Sequence, residues 1–284
     1  MNYSIPSDIT LLDRDLNGKI DRLYVGDVGG NVWRVDLNPT AGNTPNFWNV
    51  KKLAALGCTT GPCASGTTPR KILYPPEVIA TSGYDAVFVT TGDREHPLYS
   101  TVAQSACTVT NRAYFLKDMG TGMNAGSSAI ITETPGTTAN LFDATSTNWN
   151  GTLSGYYVTF QACEKGVNAP LVIAGKVYFG TNKAEAPVAP PNSKCEEGLG
   201  EATGYVLSPF SGQYSAEEFE GGGLPPSPVG GIVNIVDPST GKTIQVPFCI
   251  GCGGDDDSSA LQASRPPIIV PTNRNRTYWY IEGK

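Results

Sequence analysis

Five times along the chain, a proline opens onto a short run rich in Val, Ile or Leu, and a second β-rich run follows after a turn. The clear copies start at Pro6 (Ile9–Leu12, then Leu23–Asp27), Pro76 (Val78–Ala80, then Ala86–Thr90) and Pro170 (Leu171–Ile173, then Lys176–Gly180). Fainter copies start at Pro228 (Val229, then Ile232–Val236) and Pro267 (Ile268–Val270, then Thr277–Ile281). Third strands are expected at Asn31–Leu37, Arg112–Lys117, Gly204–Ser208 and Lys242–Phe248, and Val32 to Leu37 alternates as a half-buried strand must. Turns are placed at Gly29-Gly30, Ala174-Gly175 and Asp237–Gly241. Repetition of a three- or four-strand unit is the signature of propeller blades. The same strands could also build a sandwich, and the repeat is what favours the propeller. The reading expects the second strand of each unit to be central in its sheet. It also expects Trp33, Val35, Phe88, Val177 and Phe179 to be buried or half-buried. Gly/Ser/Thr/Asn-rich inserts near 120–152 and 183–202 read as surface loops.

Composition agrees with an all-β chain. Among 284 residues, 33 Gly and 22 Pro disfavour long helices, and only 16% of residues are charged. A formal net charge of −6 without a Lys/Arg cluster argues against nucleic acid and anionic membranes as partners. No apolar run approaches the roughly 20 residues of a transmembrane helix, and residues 1–6 do not resemble a signal peptide. The cysteines point to an oxidising compartment nonetheless. Cys58/Cys63 and Cys249/Cys252 are close pairs in loop-like sequence. A fragment whose signal peptide was lost with an upstream region reconciles the two.

The chemistry is concentrated in Asp13-Arg14-Asp15-Leu16-Asn17-Gly18-Lys19-Ile20-Asp21, which follows the first part of an EF-hand calcium loop. Ca²⁺ takes six to eight hard oxygen ligands. Asp13, Asp15 and Asn17, at loop positions 1, 3 and 5, can converge when the loop coils, and Gly18 permits the sharp bend. Lys19 offers its backbone carbonyl, Asp21 a third carboxylate, and Ile20 an anchor to the core. Position 12 is Tyr24 rather than the bidentate Glu, and Leu23 onward reads as a strand. The loop is therefore expected to sit between two strands, to close at Asp21 and to be completed by water.

Residues Ser4–Thr10, this loop, and Arg22–Leu37 together resemble the PilY/PilC proteins of type IV pili. Gly155–Val158, Glu164–Gly166, Val172–Thr181 and Cys195 add to the likeness. The resemblance implies that residues 1–284 are one C-terminal portion of a modified seven-bladed β-propeller, about four to five blades, with upstream blades missing. It further implies a non-enzymatic module at the bacterial cell surface or pilus tip. Calcium at Asp13, Asp15, Asn17, Lys19 and Asp21 would govern pilus extension and retraction, and the tip location would serve adhesion to a host or abiotic surface. Implied partners are pilin or minor pilins. Open blade edges also favour the upstream propeller half, another chain or self-association.

Other features are weaker. His96 is the only histidine and sits in Gly92–Pro97, which reads as a plain loop; no Gly-x-Ser-x-Gly elbow exists. Cys249-Ile250-Gly251-Cys252 lacks the following His of a haem attachment site and suits a short-loop disulfide or free thiols. Cys163 and Cys195 flank one hairpin and are paired in this reading, which leaves Cys107 odd. Asp255-Asp256-Asp257 reads as a solvated loop. Two rival functions stand: a quinoprotein-like propeller enzyme, which the absence of adjacent cysteines disfavours, and a carbohydrate-binding propeller using Tyr278, Trp279 and Tyr280.

Overall fold

The computed structural model describes residues 1–37, 48–59, 63–120, 129–134, 140–186, 198–236, 239, 241–252 and 263–264. They form four separate sheets that follow one another along the chain. The first is a meander of β1 (Thr10–Leu12), β2 (Arg22–Gly26), β3 (Asn31–Asp36) and β4 (Asn49–Ala55), paired in that order. The second contains β5 (Glu77–Ala80), β6 (Asp85–Thr90), β7 (Arg112–Asp118), β8 (Phe142–Asp143) and β9 (Gly155–Thr159), in the order β5-β6-β7-β9-β8. The third joins β10 (Glu164–Gly166) and β11 (Leu171–Ile173) to β12 (Lys176–Lys183), followed by β13 (Glu201–Leu207) and β14 (Tyr214–Phe219). The fourth is β15 (Val229–Val236), β16 (Thr243–Ile250) and β17 (Ala263–Ser264).

Alternation along the central strands explains why the sheets stack face to face. From β6, Val87 and Val89 join Tyr24, Val32 and Leu53 of the first sheet, while Ala86 and Phe88 join Val177 and Phe179 of the third. From β7, Tyr114 and Leu116 face the first sheet's cluster, and Ala113 and Phe115 the third's. Both strands are buried on both faces, which is why they read as continuous apolar runs. Phe115 is wholly buried and stacks on Tyr156 at 5.1 Å between centroids, with Phe88 and Trp149 each 5.2 Å away. Burying one such ring contributes about 1.5–3 kcal/mol. Tyr178, on the opposite face of β12, packs with Cys249 of β16 and with Cys252 just beyond that strand.

The chain is thus an all-β, partial β-propeller of four blades, and the described residues do not form a closed ring. The second strand of each clear repeat is interior to its sheet; Val35, Phe88, Val177 and Phe179 are buried and Trp33 is half-buried. The unit beginning at Pro267 lies outside the described residues, as do Asp255–Asp257 and Tyr278–Tyr280.

Three expectations need correction. The fourth unit does not break after Val229: Val229–Val236 is one strand, because Gly231 lets the Phe248 ring lie against its backbone. The 120–152 insert is not all surface loop. Ile131 is buried in the first inter-blade core, and Phe142–Asp143 pairs in parallel with β9. Finally, Cys163 pairs with Cys107, not Cys195, which lies outside the described residues. The short pairs Cys58–Cys63 and Cys249–Cys252 are both disulfides.

Candidate metal centre

The acidic loop connects β1 to β2, whose antiparallel pairing runs from Thr10↔Tyr24 to Leu12↔Arg22 and so brings the loop's ends together. Its mouth is closed by Asp21 N–H donating to Leu12 O at 2.9 Å, and Leu37 N–H donating to Asp21 O at 2.8 Å. Two left-handed residues, Leu16 (φ 59) and Gly18 (φ 84), coil the chain between these ends. A Cβ at Gly18 would meet nothing within 4 Å, so its requirement there is conformational rather than steric.

Backbone amides hold the carboxylates in place. Asp13 Oδ1 and Oδ2 accept from Asn17 N–H (3.1 Å) and Gly18 N–H (2.7 Å). Asp21 Oδ2 accepts from Arg14 N–H (2.8 Å) and Asp15 N–H (3.3 Å). Asn17 donates its side-chain amide to Asp15 Oδ2 at 2.8 Å, and its Oδ1 accepts from Lys19 N–H at 2.9 Å. Asp13, Asp15 and Asp21 each place a carboxylate oxygen within 4.8 Å of the others. Oxygens bound to one Ca²⁺ at about 2.3–2.6 Å can be no more than about 5 Å apart, so this spacing fits that ion. Among the described residues, none of the three carboxylates is in a salt bridge. Asp13 is half-buried, Asp15 exposed and Asp21 buried, so the cluster opens to solvent on one side. The sequence-derived set is therefore gathered in one coil, with Asp13, Asp15 and Asp21 convergent and Asn17 and Lys19 bonded beside them.

The long-range partners of the loop carry no local sequence signal. Arg14 leaves the coil and donates through Nε to Asp85 Oδ1 and through Nη2 to Thr81 O, both at 2.8 Å, on the second blade. Arg22, directly after Asp21, donates Nη1 to the other oxygen of Asp85. The Tyr24 hydroxyl lies 2.9 Å from Asp85 Oδ2 and 2.8 Å from Asp118 Oδ2. Arg34 binds Asp118 (2.9 Å) and Asp36 (2.6 Å). Burial first, and then Asp118 and Asp85, push the Tyr24 phenol far above its usual range, so it remains a donor. A second buried cluster gathers Arg70, Arg112 and Tyr114 on Glu133.

His96 is two-thirds exposed, and its Nδ1 lies 2.8 Å from Asp93 Oδ2, which Lys71 also binds at 2.8 Å. That is a surface ion cluster following a strand, as the plain-loop reading expects. Within the Asp27 turn, Gly29 and Asn31 N–H and Trp33 Nε1 all donate to the buried Asp27 carboxylate. This fixes the hairpin between β2 and β3.

No protein-family model matches the chain, and no curated protein does. Among solved structures it is similar to the crystal structure of the Pseudomonas aeruginosa PilY1 C-terminal domain, at 16% sequence identity and a TM-score of 0.54. What the two share is the fold. The alignment covers 85% of this chain and 58% of that one, so the chain spans less than two-thirds of the solved domain. An alignment to a glycoside hydrolase family 43 arabinoxylan arabinofuranohydrolase from Bacillus subtilis has 12% identity and a TM-score of 0.27. It covers 93% of this chain and 66% of the hydrolase, and carries no argument. No helix among the described residues is long and apolar enough to cross a membrane.

Proposed function

We propose that this chain is a calcium-binding, non-enzymatic blade module of a type IV pilus factor, acting at the bacterial cell surface or pilus tip in pilus extension, retraction and adhesion. The observation that carries the reading is the convergence of Asp13, Asp15 and Asp21 in one coil, on a fold similar to that of the PilY1 C-terminal domain. Asp13, Asp15, Asn17 and Asp21 would hold the ion through side-chain oxygens and Lys19 through its carbonyl. When bound, calcium supplies positive charge that relieves repulsion among three carboxylates. The chain's own residues shape the loop: Gly18 and Leu16 set the coil, backbone amides orient Asp13 and Asp21, and Leu12 and Leu37 close its mouth. Pilin, minor pilins or further propeller blades are the proposed partners. Two measurements test the reading. Calorimetry should detect one calcium site that Asp21→Ala removes. Cells carrying that substitution in the full-length protein should show altered numbers of surface pili. No calcium binding by the wild type, or unchanged piliation with the variant, would overturn the corresponding half of the proposal.

A further inference from the structure

The two ends of the acidic loop converge on one carboxylate of the neighbouring blade. Arg14 follows the first ligand candidate, Asp13, and Arg22 follows the last, Asp21. Both guanidiniums reach Asp85, which is fully buried at the start of β6: Arg14 takes Oδ1 and Arg22 takes Oδ2. Arg14 also binds the carbonyl of Thr81 in the preceding turn, so its planar fork spans two acceptors on the second blade. Its own N–H meanwhile donates to Asp21 Oδ2. One residue thus links the carboxylate that closes the loop to the neighbouring sheet.

This arrangement does two physical things. A guanidinium beside three carboxylates would ordinarily swing onto them and compete with a cation; Asp85 and the Thr81 carbonyl hold it away from them. The same contacts fix the backbone between Asp13 and Asp15, removing freedom the loop would otherwise lose on binding. We infer that Arg14 is a positioning residue for the calcium site, held by Asp85, so that calcium affinity in the first blade depends on its docking against the second. The inference rests on the calcium reading above and assigns the regulation of that site to the inter-blade contact.

The sign of the effect separates a tether from a bystander charge. Deleting a mere nearby cation would tighten calcium binding. Deleting a tether loosens it. Calcium titrations by calorimetry on the whole chain should show Arg14→Ala binding about tenfold more weakly than wild type, in the range found for residues that orient metal ligands. Arg14→Lys keeps the charge but cannot span Asp85 and Thr81 as a planar fork, and should fall between the two. Wild-type or tighter affinity in Arg14→Ala, or wild-type affinity in Arg14→Lys, would overturn the positioning role. Absence of calcium binding by the wild type would overturn the calcium reading itself, and the inference with it.

Discussion

The hydroxyl of Tyr24, in the first blade, lies 2.8 Å from a carboxylate oxygen of Asp118, in the second. Asp118 and Asp85 are directly opposed across β6 and β7, and Tyr24 reaches both. Arg22 and Arg34 neutralise the pair, so the junction between the two blades is a buried polar network flanked by an apolar core. Such networks specify one docking geometry, because each group displaced loses its partner in a place water cannot reach.

Tyr24→Phe removes the single phenolic proton that Asp118 and Asp85 compete for, leaving the carboxylate pair one donor short, while the ring still fills its site. A loss of about 1–3 kcal/mol is expected, the cost of leaving buried acceptors underserved. It should appear as a lower urea midpoint with an unchanged slope. An unaltered midpoint would mean the hydroxyl bond is matched by hydration in the unfolded chain.

Breaking an ion pair in the same network should cost more. Asp118→Asn leaves the buried Arg34 guanidinium with Asp36 as its carboxylate, so the loss should approach but not exceed the about 3–5 kcal/mol of an unpaired buried charge. Arg34→Met combined with Asp118→Leu should lose more than Asp118→Asn, since removing Arg34 also takes a charge partner from the buried Asp36, which it holds at 2.6 Å. Equal destabilisation in the single and double variants would show that packing, not charge, dominates the junction.

The acidic loop was legible because its chemistry is contiguous: Asp13, Asp15, Asn17 and Asp21 occupy alternating positions of one short segment around Gly18. Strands such as Ala86–Thr90 were legible because burial on both faces makes them uniformly apolar. The network around Asp85 was not, since its partners lie 61 to 71 residues away, and nothing local marks an Asp at a strand's start as a docking point. The outer strands Asn49–Ala55 and Tyr214–Phe219 were missed for the opposite reason. Tyr214–Phe219 pairs on one side at the end of its sheet, and Asn49–Ala55 meets only the bridge to Ile131 on its second side, so Lys51, Lys52, Glu217 and Glu218 dilute the pattern. Cys163 reads toward Cys195 because the two flank one hairpin, whereas the separation of 56 residues to Cys107 is closed only by the fold.

Three disulfides account for six of the seven cysteines, and Cys195 is the seventh. Exported, denatured and unreduced protein should therefore expose no more than one reactive thiol. Cys107–Cys163 closes the longest loop, and loop-closure entropy assigns it about 4 kcal/mol. Cys163→Ser should lower stability by that order and expose Cys107 to thiol reagents. Survival of all seven thiols in exported protein would remove the case for an oxidising compartment.

Acid should weaken the cluster at the second blade's edge. Burial alone would raise the Asp93 carboxyl, but hydrogen bonds and charge from Lys71 and His96 outweigh it and hold the group below its ordinary 3.8. A depressed folded pKa stabilises fully above the unfolded value and is lost as pH falls through the lower folded one. Melting temperature should therefore decline below about pH 4, and Asp93→Asn should show a shallower decline over that interval. Parallel profiles for the two proteins would dismiss the contribution.

The acidic loop makes the sharpest demand. Three carboxylates without a bidentate Glu place the expected dissociation constant at roughly 10⁻⁶ to 10⁻³ M, in the sensor-to-extracellular range. Calcium bound only to the folded chain stabilises it by RT ln(1 + [L]/Kd), about 2.7 kcal/mol at a hundredfold excess over Kd. For a domain of this size that corresponds to a rise of about 4–5 °C in melting temperature. Asp13→Ala and Asp21→Ala should each abolish the rise and leave the far-ultraviolet spectrum unchanged. Asp21→Ala should also lower stability without calcium, because Asp21 Oδ2 accepts two loop amides. Lys19→Ala should keep the full rise, since only its carbonyl is asked to bind. Magnesium at the same concentration should give a smaller shift, as it prefers a tighter octahedron and keeps its waters. If Asp21→Ala and wild type warm equally with calcium, the coil is a solvated turn, and the proposed pilus role loses its calcium basis.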